Sequence, residues 1–168
     1  MATTGSLTSM REERELVITR VFDAPREKVW RMWIEPENIK KWWGPIEFTA
    51  PYAELDLRVG GKYLYCMEGP DGKEYWSGGT FREIAPLERI VATDSFTDKD
   101  GKVVPATAYG LSADYPMELM LTVTFEDEEH GKTKLTIRHF GHPSGLDMEG
   151  ARMGWTTSLD KFAQALSE

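Results

Sequence analysis

The sequence predicts an α+β fold in which a curved antiparallel sheet wraps around one long C-terminal helix. Two observations support this prediction. Strand-like segments follow one another from residue 15 to residue 140, with turn residues between them, and several alternate between apolar and polar side chains. The segment from residue 147 to residue 166 instead repeats apolar residues at three- and four-residue steps, which is typical of an amphipathic helix.

Two short helices are predicted directly after the first strand. The strand covers residues 15–22, and Pro25 then stands at the start of a helical segment over residues 25–34. Proline suits the first turn of a helix because its missing N–H would have no partner there. A second short helix is predicted over residues 36–43, where it ends in a tryptophan pair.

Six further strands are predicted after the two helices. They cover residues 52–57, 62–68, 74–84, 89–96, 118–126 and 132–140. The last two alternate most regularly, which indicates an antiparallel sheet with one buried face and one face in water. Within the strand at 74–84, Gly78 and Gly79 predict a bulge or kink where the sheet curves.

The long helix completes a single predicted domain over residues 13–168. The stripe that should face the sheet is Met148, Arg152, Trp155, Leu159, Phe162 and Leu166. Residues 1–12 are mostly small and polar and are predicted to form a loose lead-in. A chain of 168 residues is long enough to build one sizeable core.

Composition narrows the class of protein. A formal net charge of -8 argues against a general nucleic-acid binder, because a phosphate backbone requires a basic face. The single cysteine, Cys66, cannot form an internal disulfide, so we expect a buried structural thiol and a reducing, cytoplasmic location. No apolar run is long enough for a membrane span.

Several motifs together resemble a known family. They lie at residues 20–30, 41–45, 56–61, 78–80, 131–136 and 154–155. In order and spacing they resemble the Hsp90 ATPase activator homologue 1-like family of the START/Bet v 1-like superfamily, over nearly the whole chain. The resemblance implies a helix-grip fold with a cavity where the helix does not fill the concave face of the sheet. It is less specific for function, because this superfamily uses one cavity for binders, cyclases, hydrolases and co-chaperones.

Ten residues are candidates for the cavity wall, because most fall on inward strand positions or on the helix stripe. They are Trp43, Tyr63, Tyr65, Met67, Trp76, Leu119, Leu121, His139, Arg152 and Trp155. One interpretation is a mainly apolar pocket with a few polar groups that orient a ligand. The alternative is a packed core in which the aromatic side chains only fill space.

Two of these candidates are polar enough to anchor a ligand. His139, as a neutral imidazole, can donate or accept a hydrogen bond or act as a base, and the alternative is a core histidine that is hydrogen-bonded to a neighbour. Arg152 can reach an anionic group, pair with Glu149 or Asp94, or remain at the surface. His130 and His142 do not pair with another histidine at metal-ligand spacing, so no metal site and no cofactor are predicted.

The leading hypothesis is a binding protein for a small hydrophobic or amphipathic molecule. One alternative is a co-chaperone of an Hsp90-like ATPase, as the resemblance implies. Another is a polyketide cyclase-like enzyme that uses His139 or a cavity tyrosine as acid or base. No catalytic set is predicted, since the sequence has neither a nucleophile elbow nor a phosphate loop.

A long loop over residues 97–116 has three possible roles. It carries Tyr109, Leu111 and Tyr115, which a purely solvated linker does not need. It can be a lid over an apolar opening with residues 42–45 as the facing rim, a homodimer contact, or a segment packed onto the sheet edge.

Overall fold

The computed structural model describes residues 14–143 and 145–168, which contain seven strands, three α-helices and two short 3-10 helices, Ala106–Tyr109 and Glu129–Gly131. The strands are β1 (Glu15–Phe22), β2 (Thr49–Leu55), β3 (Lys62–Glu68), β4 (Glu74–Ala85), β5 (Arg89–Thr97), β6 (Leu119–Glu128) and β7 (Lys132–Phe140). The helices are α1 (Arg26–Ile34), α2 (Pro36–Trp42) and α3 (Leu146–Leu166). The predicted lead-in over residues 1–12 lies outside the described residues.

The strands form one sheet in the order β1-β7-β6-β5-β4-β3-β2, with antiparallel pairing throughout. The two short helices follow β1, and α3 packs on the sheet. This confirms the predicted α+β helix-grip fold. The bounds of β1, β3 and β7 are those predicted, whereas β2 lies earlier, at Thr49–Leu55.

The bulge predicted at Gly78 and Gly79 is wrong in position. Strand β4 keeps its register with β5 there, and the irregularity lies between Phe81 and Glu83. The two glycines instead allow the neighbouring strands to lie close to β4. A Cβ atom on Gly79 would lie 1.9 Å from the carbonyl oxygen of Thr93, so only a residue without a side chain fits.

Aromatic side chains fill one end of the space between the sheet and the helices. This region, which we call the filled half, consists of Phe22, Trp30, Trp33, Trp42, Phe125 and Phe162, all buried. Ring centroids of Trp33 and Trp42 are 4.7 Å apart, and those of Trp42 and Phe162 are 5.0 Å apart. The indole N–H of Trp42 donates to the carbonyl of Met32 at 2.8 Å, which satisfies a buried polar group.

Most of the predicted helix stripe faces the sheet. Leu159, Phe162 and Leu166 are buried, and Trp155 is partly buried, but Arg152 is exposed. Cys66 is a buried free thiol, as predicted. Within residues 14–143 and 145–168, no helix is long and apolar enough to cross a membrane.

Candidate functional site

A cavity of about 360 Å³ lies at the other end of the same space, beside the first half of α3. This volume is at the lower end of the range for small-molecule sites. The cavity is open to solvent on one side, whereas the sequence predicted an enclosed one. Its wall includes seven aromatic residues: Trp43, Phe48, Tyr75, Trp76, Phe96, Tyr115 and Trp155.

Five of the ten candidate residues line this cavity, namely Trp43, Met67, Trp76, His139 and Trp155. Four others are buried elsewhere in the sheet, namely Tyr63, Tyr65, Leu119 and Leu121. The tyrosine rings pack on each other with centroids 4.9 Å apart, so they fill space rather than border it. Arg152 is exposed and donates to the carbonyl of Val17 at 3.3 Å, away from the cavity wall.

The tryptophan pair divides between the two regions. Trp42 is buried in the filled half as the last residue of α2, and Trp43 turns to the cavity wall. Gly44 follows with a φ of +95°, a conformation that glycine adopts without strain. A Cβ atom on Gly44 would approach that of Met67 to 3.2 Å, so glycine also lets the segment lie close to β3.

The cavity wall carries a pair of histidines in direct contact. Nε2 of His142 lies 2.8 Å from Nδ1 of His139, and both residues are buried. Gly141 makes this possible, because its φ of +120° turns the chain at the end of β7. From the sequence, His142 was considered only as a possible metal ligand, and this contact was not predicted. The turn at Gly141 brings the two residues together, so the regular spacing of side chains along a helix or a strand does not indicate their contact.

Hydrogen-bond donors around the pair define its protonation. The indole N–H of Trp155 lies 3.2 Å from Nδ1 of His139 and can only donate. Nδ1 of His139 is therefore an acceptor, and the N–H of this ring is at Nε2. The contact with His142 then requires Nε2 of His142 to donate. Nδ1 of His142 is left to accept from the hydroxyl of Tyr115, which lies 3.3 Å away.

Asp94 closes the chain of contacts. Its Oδ2 lies 2.8 Å from Nε2 of His139, but off the direction of the N–H bond, so the contact is electrostatic rather than an aligned hydrogen bond. Its Oδ1 lies 3.1 Å from the hydroxyl of Tyr63, which also donates to the carbonyl of Thr93 at 2.7 Å. Tyr63 thus supports the cavity wall from behind.

The surroundings of His142 and Tyr115 keep both side chains uncharged. Burial, and then the neighbouring His139, lower the pKa of His142, while Asp94 opposes the shift. Burial, and to a smaller degree the charge of Asp147, raise the pKa of Tyr115 to about 12. At neutral pH the wall therefore presents a neutral imidazole and a protonated phenol.

One further polar group faces the cavity without a partner. Ser158, on α3, lines the cavity and is 5% exposed. Across residues 14–143 and 145–168 no side chain or backbone group hydrogen-bonds to its hydroxyl. A buried hydroxyl usually has a partner, so this one is available to a ligand.

The long loop closes one side of the cavity. The ring of Tyr109 packs on those of Tyr75 and Phe96, at centroid distances of 5.5 Å and 6.0 Å. Tyr115 packs on Phe96 and on His142, at 5.8 Å and 5.6 Å. The loop thus packs its aromatic residues onto the sheet, and Leu111 and Tyr115 contribute to the wall. Of the predicted rim, residues 42–45, the last three also line the cavity, whereas Trp42 is buried in the filled half.

Sequence reasoning did not select Asp94, Tyr115, His142 or Ser158 for the cavity. A signal existed for one of them. Asp94 follows Ile90 and Ala92 at two-residue steps along β5, and both of these are buried. Alternate residues of a strand face the same side, so the carboxylate of Asp94 could have been predicted to point inward. No cluster of three or more histidine, cysteine or acidic side chains suited to a metal ion occurs in the described part of the chain.

Comparisons with known proteins agree with this fold. The sequence profile of the family described as Activator of Hsp90 ATPase homolog 1-like protein matches residues 23–167. No curated protein matches. A crystal structure from Chromobacterium violaceum is 29% identical, with a TM-score of 0.76, over 92% of this chain and 98% of that one. A solution structure from Arthrobacter aurescens is 28% identical, with a TM-score of 0.74, over 93% and 87%.

A more distant structure shares the fold. The AHSA1-like protein from Aeromonas hydrophila is 21% identical, with a TM-score of 0.68, over 91% of this chain and 92% of that one.

Proposed function

We propose that this chain, which belongs to the Activator of Hsp90 ATPase homolog 1-like family, binds a small, mainly apolar molecule in the cavity beside α3. The observation that supports this most directly is the cavity itself, of about 360 Å³, which aromatic side chains line on several sides. Apolar surface that remains out of contact in an otherwise packed protein marks a place where another molecule can be buried.

Polar groups at the wall are suited to orient such a molecule. The hydroxyl of Ser158 has no partner among the described residues. The carboxylate of Asp94 has one hydroxyl within hydrogen-bond distance, that of Tyr63, which it shares with the carbonyl of Thr93. A ligand group that bonds to either would add direction to the apolar contacts. Few and fixed polar contacts within an apolar wall are typical of small-molecule sites.

Isothermal titration calorimetry with naphthylmethanol tests this proposal. We expect saturable binding at one site. The variant Ala151→Leu places a larger side chain in the cavity wall and should weaken the affinity at least about tenfold, because it occupies ligand volume. Thr156→Leu makes a similar change at an exposed position of α3 and should leave the affinity unaltered.

Two results would refute the proposal. One is the absence of saturable binding by the unaltered protein. The other is equal affinity in the Ala151→Leu and Thr156→Leu variants after circular dichroism has established that both are folded.

A second candidate function is acid–base catalysis in the same cavity. What favours it is the contact chain from Tyr115 through His142 and His139 to Asp94, in which three of the four ring nitrogens are hydrogen-bonded. A neutral imidazole can remove a proton from carbon next to a carbonyl group. Exchange of such protons of naphthyl methyl ketone for deuterium in heavy water measures this step. Catalysis requires exchange faster than in buffer and its loss in His142→Gln.

The name of the family refers to an Hsp90 ATPase, and a chaperone partner is a further hypothesis that this name supports. Co-precipitation with a purified Hsp90-type protein, using the unaltered chain and the Ala151→Leu variant, would separate it from ligand binding. A chaperone contact should survive the filling of the cavity, whereas ligand binding should not.

A further inference from the structure

We infer that the molecule held in the cavity carries a positive charge, as a protonated amine placed beside Asp94. This inference rests on the proposed function and adds the chemical class of the ligand. Asp94 is the one Asp, Glu, Lys or Arg residue among the described residues that line the cavity. Its side chain is 15% exposed, so water screens its charge only partly.

Positive side chains near the wall do not neutralise this carboxylate. Lys161 donates to the carbonyl of Phe48 at 2.9 Å, and Lys73 donates to that of Tyr109 at 3.1 Å. Neither ammonium group belongs to the cavity lining. An anionic ligand would therefore meet a carboxylate and no cation, whereas a cationic ligand would meet an opposite charge.

His139 does not neutralise Asp94 either. Because the N–H of Trp155 donates to Nδ1 of His139, Nδ1 acts as an acceptor and the N–H of the ring is at Nε2. That N–H does not point at the carboxylate, although the two atoms are 2.8 Å apart. His139 therefore gives Asp94 no aligned hydrogen bond. The Tyr63 hydroxyl lies 3.1 Å from Oδ1 of Asp94, but it shares its one proton with the carbonyl of Thr93 at 2.7 Å.

The helix beside the cavity does not reverse this preference. The first turn of α3 carries Asp147 and Glu149, whose charges offset the positive end of the helix dipole. The aromatic wall adds to the preference. Trp76 and Trp155 line the same cavity, and aromatic faces attract ammonium groups, tryptophan most strongly.

The experiment compares three probes with one aromatic body and different charge. Calorimetry at neutral pH would measure naphthylmethylamine, naphthylmethanol and naphthoate against the unaltered protein. We expect the amine to bind at least about tenfold more tightly than the alcohol, and naphthoate to bind more weakly than the alcohol. Equal affinities, or tighter binding of naphthoate, overturn the inference while alcohol binding still supports the proposed function.

A variant assigns the preference to the carboxylate. Asp94→Asn keeps the size of the side chain and an acceptor for Tyr63 but removes the charge. It should weaken amine binding at least about tenfold and weaken alcohol binding by a clearly smaller factor. Glu118→Gln removes the same charge from an exposed residue and should leave amine binding unaltered.

Unchanged amine binding in Asp94→Asn overturns the assignment. The three-probe series on the unaltered protein remains decisive if this variant does not fold. If no probe binds at all, both the inference and the proposed function fail.

Discussion

The two halves of helix α3 face the same sheet and differ in what they place against it. The second half carries Leu159, Phe162 and Leu166, which are buried in or beside the filled half. The first half places Gly150, Ala151 and Gly154 at the cavity wall. The small side chains on the first half of α3 do not fill the space between the helix and the sheet, and the cavity is the space that remains.

Trp155 stands at the boundary between these regions. Its ring stacks on Trp33 of the filled half, with centroids 6.2 Å apart and planes at 11°. Its N–H points the other way, to His139 at 3.2 Å. Trp155 thus contacts both the filled half and the polar wall, by which we mean Asp94, Tyr115, His139 and His142. Truncating Trp155 would therefore change core packing and ligand contacts at the same time.

The largest expected effect concerns the filled half. Phe162→Ala removes a fully buried ring that contacts Phe22, Trp33 and Trp42. We expect the free energy of unfolding to fall by about 3–5 kcal/mol in urea denaturation, because the surrounding rings cannot close the space. A loss below about 1 kcal/mol would mean that this end is not packed as described.

The next effect concerns the polar wall and pH. The pKa of His142 is lowered from 6.5 by burial and by His139, with Asp94 opposing, and Tyr115 is the other polar contact of the ring. The unfolded state therefore binds a proton first as the pH falls below about 6.5. Stability that is fully present above this pH is lost on acidification, by about 2 kcal/mol down to about pH 5 at the limiting slope.

Other groups also titrate in this range, so a variant must isolate the effect. His142→Gln keeps a polar side chain and should flatten the decline in unfolding free energy between about pH 6.5 and about pH 5. His130→Gln, at an exposed position, should keep the decline of the unaltered protein. Parallel curves for all three proteins would contradict the neutral, buried state of His142.

The smallest expected effect concerns the cavity side of α3, and it is an increase in stability. Gly150 lies inside α3, and a Cβ atom built on it meets no atom within 4 Å. Gly150→Ala should therefore raise the free energy of unfolding by about 0.5–1 kcal/mol, since alanine favours the helix. A loss of stability would show that the space beside Gly150 is not open. Thermal and urea denaturation both measure it.

The sequence predicted most of the fold because local patterns encode it. Alternation located β7 at its observed bounds, and Pro25 marked the entry to α1. The cavity was predicted less well, because its position depends on which inward residues find neighbours. Tyr63 and Tyr65 point inward as expected, yet they pack on each other instead of bordering space. Alternation indicates a face but not the gap across it.

The polar wall was hardest to predict for a different reason. Asp94 and His139 are far apart in sequence and meet across the sheet through β6, whose Leu119 pairs with Asp94 and whose Leu121 pairs with His139. His142 joins them through the turn at Gly141. Such contacts depend on which strands are neighbours in the sheet, and local sequence patterns do not specify this.

Heteronuclear NMR titration of the unaltered protein with naphthylmethanol tests the central claim, that one end of this space binds a molecule and the other is full. We expect saturable shifts in the amide signals of Gly150 and Gly154 and in the indole signals of Trp76 and Trp155, all at the cavity wall. The indole signal of Trp42, bonded within the filled half, should not move. Absence of saturation, or shifts centred on Trp42 instead of the cavity wall, would contradict the account.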